Sequence, residues 1–268
     1  MSWKRIYLGG LPVDAVTQQA AIATIDDMVD ARRGGFVVTP NVDHLVCART
    51  NADMRDAYHR ARLSLPDGMP LLWMARALGM PLPEKVSGSD LLGPLMALAA
   101  SKGRRVFLFG ATSQASAAAA HRLTHEYPGL ALVGRDSSFW SPGAGPEADE
   151  VIVSAIRAAK ADIVVVALGS PKQEVFMARF ERQLAPAVLV GLGGSLDFAA
   201  GTVRRAPAWM SRAGLEWLFR LAQEPGRLAY RYLVRDLAIV PIFAADLVWR
   251  AVHGTTAIGL RAARPEES

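Results

Sequence analysis

Along most of the chain, short apolar runs rich in β-branched residues alternate with longer stretches of helical spacing. Strands are expected at residues 36–39, 62–65, 104–110, 130–133, 161–168 and 187–190. Residues 161–168 are apolar and β-branched almost throughout, as a parallel strand covered on both faces requires. Residues 5–13 read as a short strand and turn. Helical spacing marks 17–33, where Thr17 is placed to cap the start and Gly34-Gly35 to stop the end. It recurs at 45–60 (one helix or two short ones), 69–78, 91–100, 113–127 and 147–160, and after the Gly169–Glu174 turn. Residues 84–90 read as a polar turn and 134–146 as a loop. The expected fold class is α/β: a doubly wound, mostly parallel, Rossmann-like sheet. Beyond about residues 201–207 the β pattern stops, and 208–252 reads as helices rich in Trp and Arg. The expected division is a core over 1–203 and a helical, membrane-associating appendage over 204–268.

In open α/β sheets, ligands bind outside the carboxyl ends of the strands. Two such ends here are polar: Thr39-Pro40-Asn41-Val42-Asp43-His44 and Pro66-Asp67-Gly68. They deliver Thr39, Asn41, Asp43, His44 and Asp67 to one crevice. Asp67 is the candidate general base, because a partly desolvated carboxylate acquires a raised pKa suited to taking a hydroxyl proton. Pro-Asp-Gly is also an ordinary turn, and spacing alone favours that plainer reading. Glycines close three further strand ends: Gly110, Gly169 and the group Gly191, Gly193 and Gly194. They allow close backbone approach, and the helix N-termini that follow offer N–H groups to an anion. The dinucleotide fingerprint is not in its usual place, and no P-loop occurs.

Composition bounds the rest. The chain has 268 residues and is 51% hydrophobic, enough for a sizeable core. Its single cysteine, Cys47, excludes an internal disulfide and fits a reducing compartment. The amino terminus has no signal-peptide apolar core, and no apolar run has the length of a membrane span, so a cytoplasmic location is expected. Almost all of the net charge of +5 lies at the end. Residues 201–268 hold ten arginines, no lysine and six carboxylates. Arg220, Arg227 and Arg231 fall roughly on one helical face, and bidentate arginine suits phosphate. The apolar stretch 233–249 reads as interfacial rather than spanning, with a core helix or a homo-oligomer interface as alternatives. Nucleic acid is disfavoured, since no aromatic-interleaved basic strand appears. The histidines are scattered without a metal-ligand pattern.

Several blocks occur in a telling order. Besides the two strand ends these are Val86-Ser87-Gly88-Ser89-Asp90, Gly169-Ser170-Pro171-Lys172-Gln173-Glu174, Gly191-Leu192-Gly193-Gly194 with Asp197, Arg205-Ala206-Pro207, and Gly214-Leu215-Glu216-Trp217 with Arg220, Glu224-Pro225 and Arg227. From about residue 5 to 231, the chain resembles the WecG/TagA/CpsF family of bacterial glycosyltransferases. The resemblance implies inverting transfer of a sugar from a UDP-sugar to an undecaprenyl-diphosphate-linked saccharide, at the cytoplasmic membrane face, without metal or cofactor. It implies Asp67 as base, and Thr39 and Asn41 in the catalytic pocket. Lys172, Gln173 and Glu174 fall in the donor region, and Arg220, Arg227 and Arg231 come over the diphosphate. Within the family the chain looks closest to the xanthan-type glucosyltransferases of exopolysaccharide synthesis. UDP-glucose is therefore the expected donor, with a UDP-N-acetylmannosamine type as competitor. A nucleotide-binding or membrane-surface protein without catalysis is the alternative.

Overall fold

A computed structural model describes residues 3–254, so the end of the expected appendage, 255–268, lies outside the described residues. The chain opens with an antiparallel hairpin, β1 (Arg5–Leu8) and β2 (Leu11–Asp14), turned at Gly9-Gly10. Helix α1 (Gln18–Asp30) starts at Thr17, whose hydroxyl accepts from Ala20 N. There follow β3 (Gly35–Val38), α2 (Val42–Cys47), α3 (Ala52–Arg60), β4 (Leu63–Ser64) and α4 (Met69–Ala77). Next come α5 (Gly88–Lys102), β5 (Arg105–Gly110), α6 (Ser113–Glu126), β6 (Ala131–Asp136) and α7 (Pro146–Ala158). The remaining elements are β7 (Ile163–Ala167), α8 (Lys172–Leu184), β8 (Val188–Gly191), α9 (Ser195–Ala200), α10 (Ala208–Arg212), α11 (Glu216–Gln223), α12 (Pro225–Leu233), a 3-10 turn (Arg235–Ala238) and α13 (Ile239–His253).

Six strands form one parallel sheet in the order β4-β3-β8-β7-β5-β6. Residues alternate between its faces. Phe36, Val38, Phe107, Phe109, Val164, Val166 and Leu189 join one apolar cluster with α2, α3, α4, α7, α8 and the hairpin. Val37, Val106, Leu108, Ile163, Val165, Val188 and Val190 join the other with α1, α5, α6 and α9. The α/β expectation therefore holds, and the helices cover both faces. No helix among the described residues is long and apolar enough to cross a membrane.

Of the two readings of residues 45–60, two short helices are found, because Asn51 caps a second start, its Oδ1 accepting from Met54 N at 2.9 Å. The differences from the sequence expectation are local. Ser87 likewise caps α5, which begins at Gly88 inside the stretch expected as a turn. Strand β6 runs on to Asp136, and α9 had no counterpart in the sequence reading.

Behind the strand ends, α8 is anchored by an aromatic group. Phe176 lies 4.7 Å from Phe109, 4.9 Å from Phe180 and 5.2 Å from Trp140, ring centre to ring centre. Phe176→Ala should cost about 3–5 kcal/mol of stability. Urea denaturation followed by tryptophan fluorescence would measure the shift in midpoint.

Candidate active site

The carboxyl ends of β3, β4, β7 and β8 lie side by side and carry most of the polar residues singled out from sequence. At the tip of β3, the Thr39 hydroxyl donates to Gly191 O at 3.2 Å, tying this strand to β8. Asn41 caps α2, its Oδ1 accepting from His44 N at 3.3 Å. That contact occupies the amide oxygen and leaves the NH2 group for Asp67, with which the Asn41 side chain hydrogen-bonds. The Asp67 loop is held at both ends: Asp67 N donates to Pro40 O at 2.8 Å, and Val86 N donates to Pro66 O at 2.8 Å. Gly68 follows at φ +114°, a conformation that favours glycine.

Burial pushes the Asp67 carboxyl up to about 6. Lys85 lowers it, Glu216 raises it, and the Asn41 bond and Arg220 lower it further. Lys85 and Glu216 are themselves paired at 3.3 Å, with Lys85 also 3.0 Å from Asp90. Asp67 is thus poised to exchange a proton near neutral pH.

Below the crevice, Tyr58 and His44 are buried with Oη and Nδ1 2.7 Å apart. Burial lowers the His44 pKa, so the ring is neutral. Gln173 braces the β8 turn. Its Oε1 accepts from Gly193 N at 3.0 Å, and its Nε2 donates to Glu174 Oε1 at 2.9 Å. Glu174 is fully buried, and its Oε2 has no hydrogen-bond partner among the described residues.

From the later helices, Arg220 comes over the same turn. A Cβ at Gly194 would lie 3.6 Å from its Nη2. The Arg220 guanidinium lies 5.5 Å from the Phe198 ring centre, and its Nε has no partner among the described residues. Arg227 is exposed and pairs with Glu224 at 2.5 Å. Arg231 instead reaches Asp43, 3.3 Å away.

Three candidates sit differently. A Cβ at Gly110 would lie 2.6 Å from Ala167 O, so strand packing alone requires glycine there. Gly169 opens to free space at φ +74°. The Lys172 ammonium lies 4.1 Å over the ring of the exposed Phe139. Among the described residues, no three His, Cys, Asp or Glu side chains gather to hold a metal ion.

Sequence reasoning missed Lys85, Tyr58 and Arg235, and gave Glu216 no role. Arg235, which pairs with Asp43, continues the four-residue step from Arg227 to Arg231 and was findable on that signal. Nothing local in the sequence marks Tyr58.

The model of the glycosyl transferase WecG/TagA/CpsF family matches residues 6–253. The chain belongs to this family. It is similar to two proteins named N-acetylglucosaminyldiphosphoundecaprenol N-acetyl-beta-D-mannosaminyltransferase. The one from Bacillus spizizenii is 35% identical over 199 residues, covering 74% of this chain and 75% of the relative. The one from Bacillus subtilis is 32% identical over the same length and coverage. As a WecG/TagA/CpsF member the protein is a glycosyltransferase, and the crevice is its candidate active site.

The raised Asp67 pKa has a stability consequence with a definite sign. The folded state holds a proton here that the unfolded chain, with an aspartate pKa of about 3.9, has already released. Wild-type stability is therefore lost as pH rises from about 4 to about 6. Asp67→Asn should escape that loss, so its stability relative to wild type should grow across this window. Denaturant midpoints of both proteins at pH 4.5 and 7.5 would measure it.

Proposed function

We propose that this glycosyltransferase moves an N-acetylmannosaminyl group from its UDP-linked form to undecaprenyl-diphosphate-linked N-acetylglucosamine, inverting the anomeric centre. The acceptor and the sugar are taken from the names of the two relatives. Those names reverse the order of the two donors expected from sequence and favour the N-acetylmannosamine type over UDP-glucose. The UDP carrier rests on the family resemblance. The mechanism is carried by one observation: a carboxyl raised to about 6 at a strand end, aligned by the Asn41 amide.

In the proposed step the acceptor hydroxyl oxygen bonds to the anomeric carbon while the carbon–oxygen bond to UDP breaks. Asp67 takes the hydroxyl proton, and the electron pair of the broken bond leaves on the diphosphate. Asn41 holds Asp67 in line. Arg220 and the Gly193-Gly194 turn meet the growing charge of the leaving diphosphate. Gln173 serves by fixing that turn, and Thr39 by holding the β3 and β8 tips together. Arg227, exposed on α12 and paired with Glu224, would exchange that partner for a bound diphosphate.

Residues 204–268 act in this reading as the appendage that brings a lipid-linked acceptor to the crevice. Tyr230, Leu233, Val234, Leu237, Val240, Val248 and Val252 are exposed along α12, the 3-10 turn and α13. An apolar surface of that size, flanked by arginines, suits the interface of an anionic membrane.

UDP release with a panel of UDP-sugars and a short lipid-diphosphate N-acetylglucosamine acceptor tests the reading. UDP-N-acetylmannosamine should give the fastest turnover, and Asp67→Asn should lower kcat about 10²–10⁴-fold. Faster turnover with UDP-glucose would overturn the donor assignment. Full activity of Asp67→Asn would overturn the assignment of the base.

A further inference from the structure

Asp43 is two residues past Asn41 on the first turn of α2, yet the chemistry above gives it no role. It is only 4% exposed. A carboxylate buried this deeply is costly unless it is paired. Its partners come from the far end of the chain. Arg231 of α12 lies 3.3 Å away, and Arg235 of the 3-10 turn pairs with the other oxygen. Asp236 lies beside the same group, and burial together with the neighbouring Asp43 charge pushes its carboxyl up to about 6. One core carboxylate thus gathers the next two arginines after Arg227.

Asp43 is coupled to Asn41 through a single helical turn, whose cap is the Asn41 side chain. On the tail side, α12 packs on α11, and α11 carries Glu216 and Arg220, which flank Asp67. We propose that Asp43 is a positioning residue for the transfer reaction: it tethers Arg231 and Arg235 to the Asn41 turn and so sets α11 over Asp67. This rests on the functional reading above. It assigns Arg231 to the tether rather than to the diphosphate.

The tether is separable from the rest of the tail. Helix α13 has its own anchorage: Asp246 accepts from Gly9 N at 2.7 Å, and Arg250 donates to Ala77 O at 2.5 Å. Loss of Asp43 should free α12 and the 3-10 turn while leaving α13 docked.

In the full chain, Asp43→Asn should lower kcat by about 10²-fold, the scale of a small misalignment of catalytic groups, with KM for the UDP-sugar unchanged. Arg235→Gln should fall in the same direction, and the double variant should be no slower than Asp43→Asn, because the two act as one unit. Wild-type kcat in Asp43→Asn, or losses that multiply in the double variant, would overturn the tether. Should Asp43→Asn fail to fold, wild-type kcat in Arg235→Gln would do the same. Trypsin cleavage gives a readout independent of turnover. Cutting after Arg227, Arg231 and Arg235 should be faster in Asp43→Asn than in wild type, and an unchanged rate would count against the tether. A wild-type protein that releases no UDP with any sugar, yet shows this difference in cleavage, would sink the functional reading and leave the tether standing.

Discussion

A parallel sheet covered on both faces has no solvent-facing side on which to place chemistry. In this protein β3, β7 and β8 are buried throughout their lengths. Every side chain on them is committed to one of two apolar clusters. Polar groups can enter only where the strands stop, and hydrogen bonds must then hold the exposed strand tips in place. Thr39 to Gly191, Gln173 to Gly193 and Asp67 to Pro40 are those bonds. The crevice is thus a consequence of how the core is packed. Its floor is built from the strand tips, and the later helices cover it from above.

Electrostatics divides the crevice into two regions. Around Asp67, Lys85 and Glu216 act in opposite directions and desolvation is the largest influence, so the carboxyl is raised to about 6. Around Asp43, two arginines face a buried carboxylate, so the charge there is committed to structure. Two aspartates that follow neighbouring strands are therefore given opposite tasks by their surroundings. One can take up and release a proton near neutral pH, and the other retains its partners.

The sheet was legible in the sequence because continuous β-branched runs such as Ile163–Ala167 have few other outcomes. Helix starts were legible where a capping side chain stands alone, as at Thr17. The division of 45–60 was left open, and the start at Ser87 was missed because that cap lies in a polar stretch that reads equally well as a turn. Asp67 and Asn41 could be named from strand-end position. The amide-to-carboxylate contact between them could not, since it depends on the Asn41 oxygen being occupied by the α2 cap. Asp43, Arg231 and Arg235 show the limit most clearly. Their pairing joins α2 to helices nearly two hundred residues later, and no local spacing encodes it.

The pairing of β3 with β8 also sets an order of assembly. Val37 of β3 lies beside Val190 of β8, so these two paired strands are the most distant in sequence of any neighbours in the sheet. Closing so long a loop is entropically costly, and contacts of this kind slow folding. Strands β5, β6 and β7 can associate while the chain is still being made, whereas β3 and β4, which pair with each other, join them only through β8. The crevice lies on that last seam. A nascent or partly folded chain therefore has no assembled site, and sugar transfer begins only once the sheet has closed.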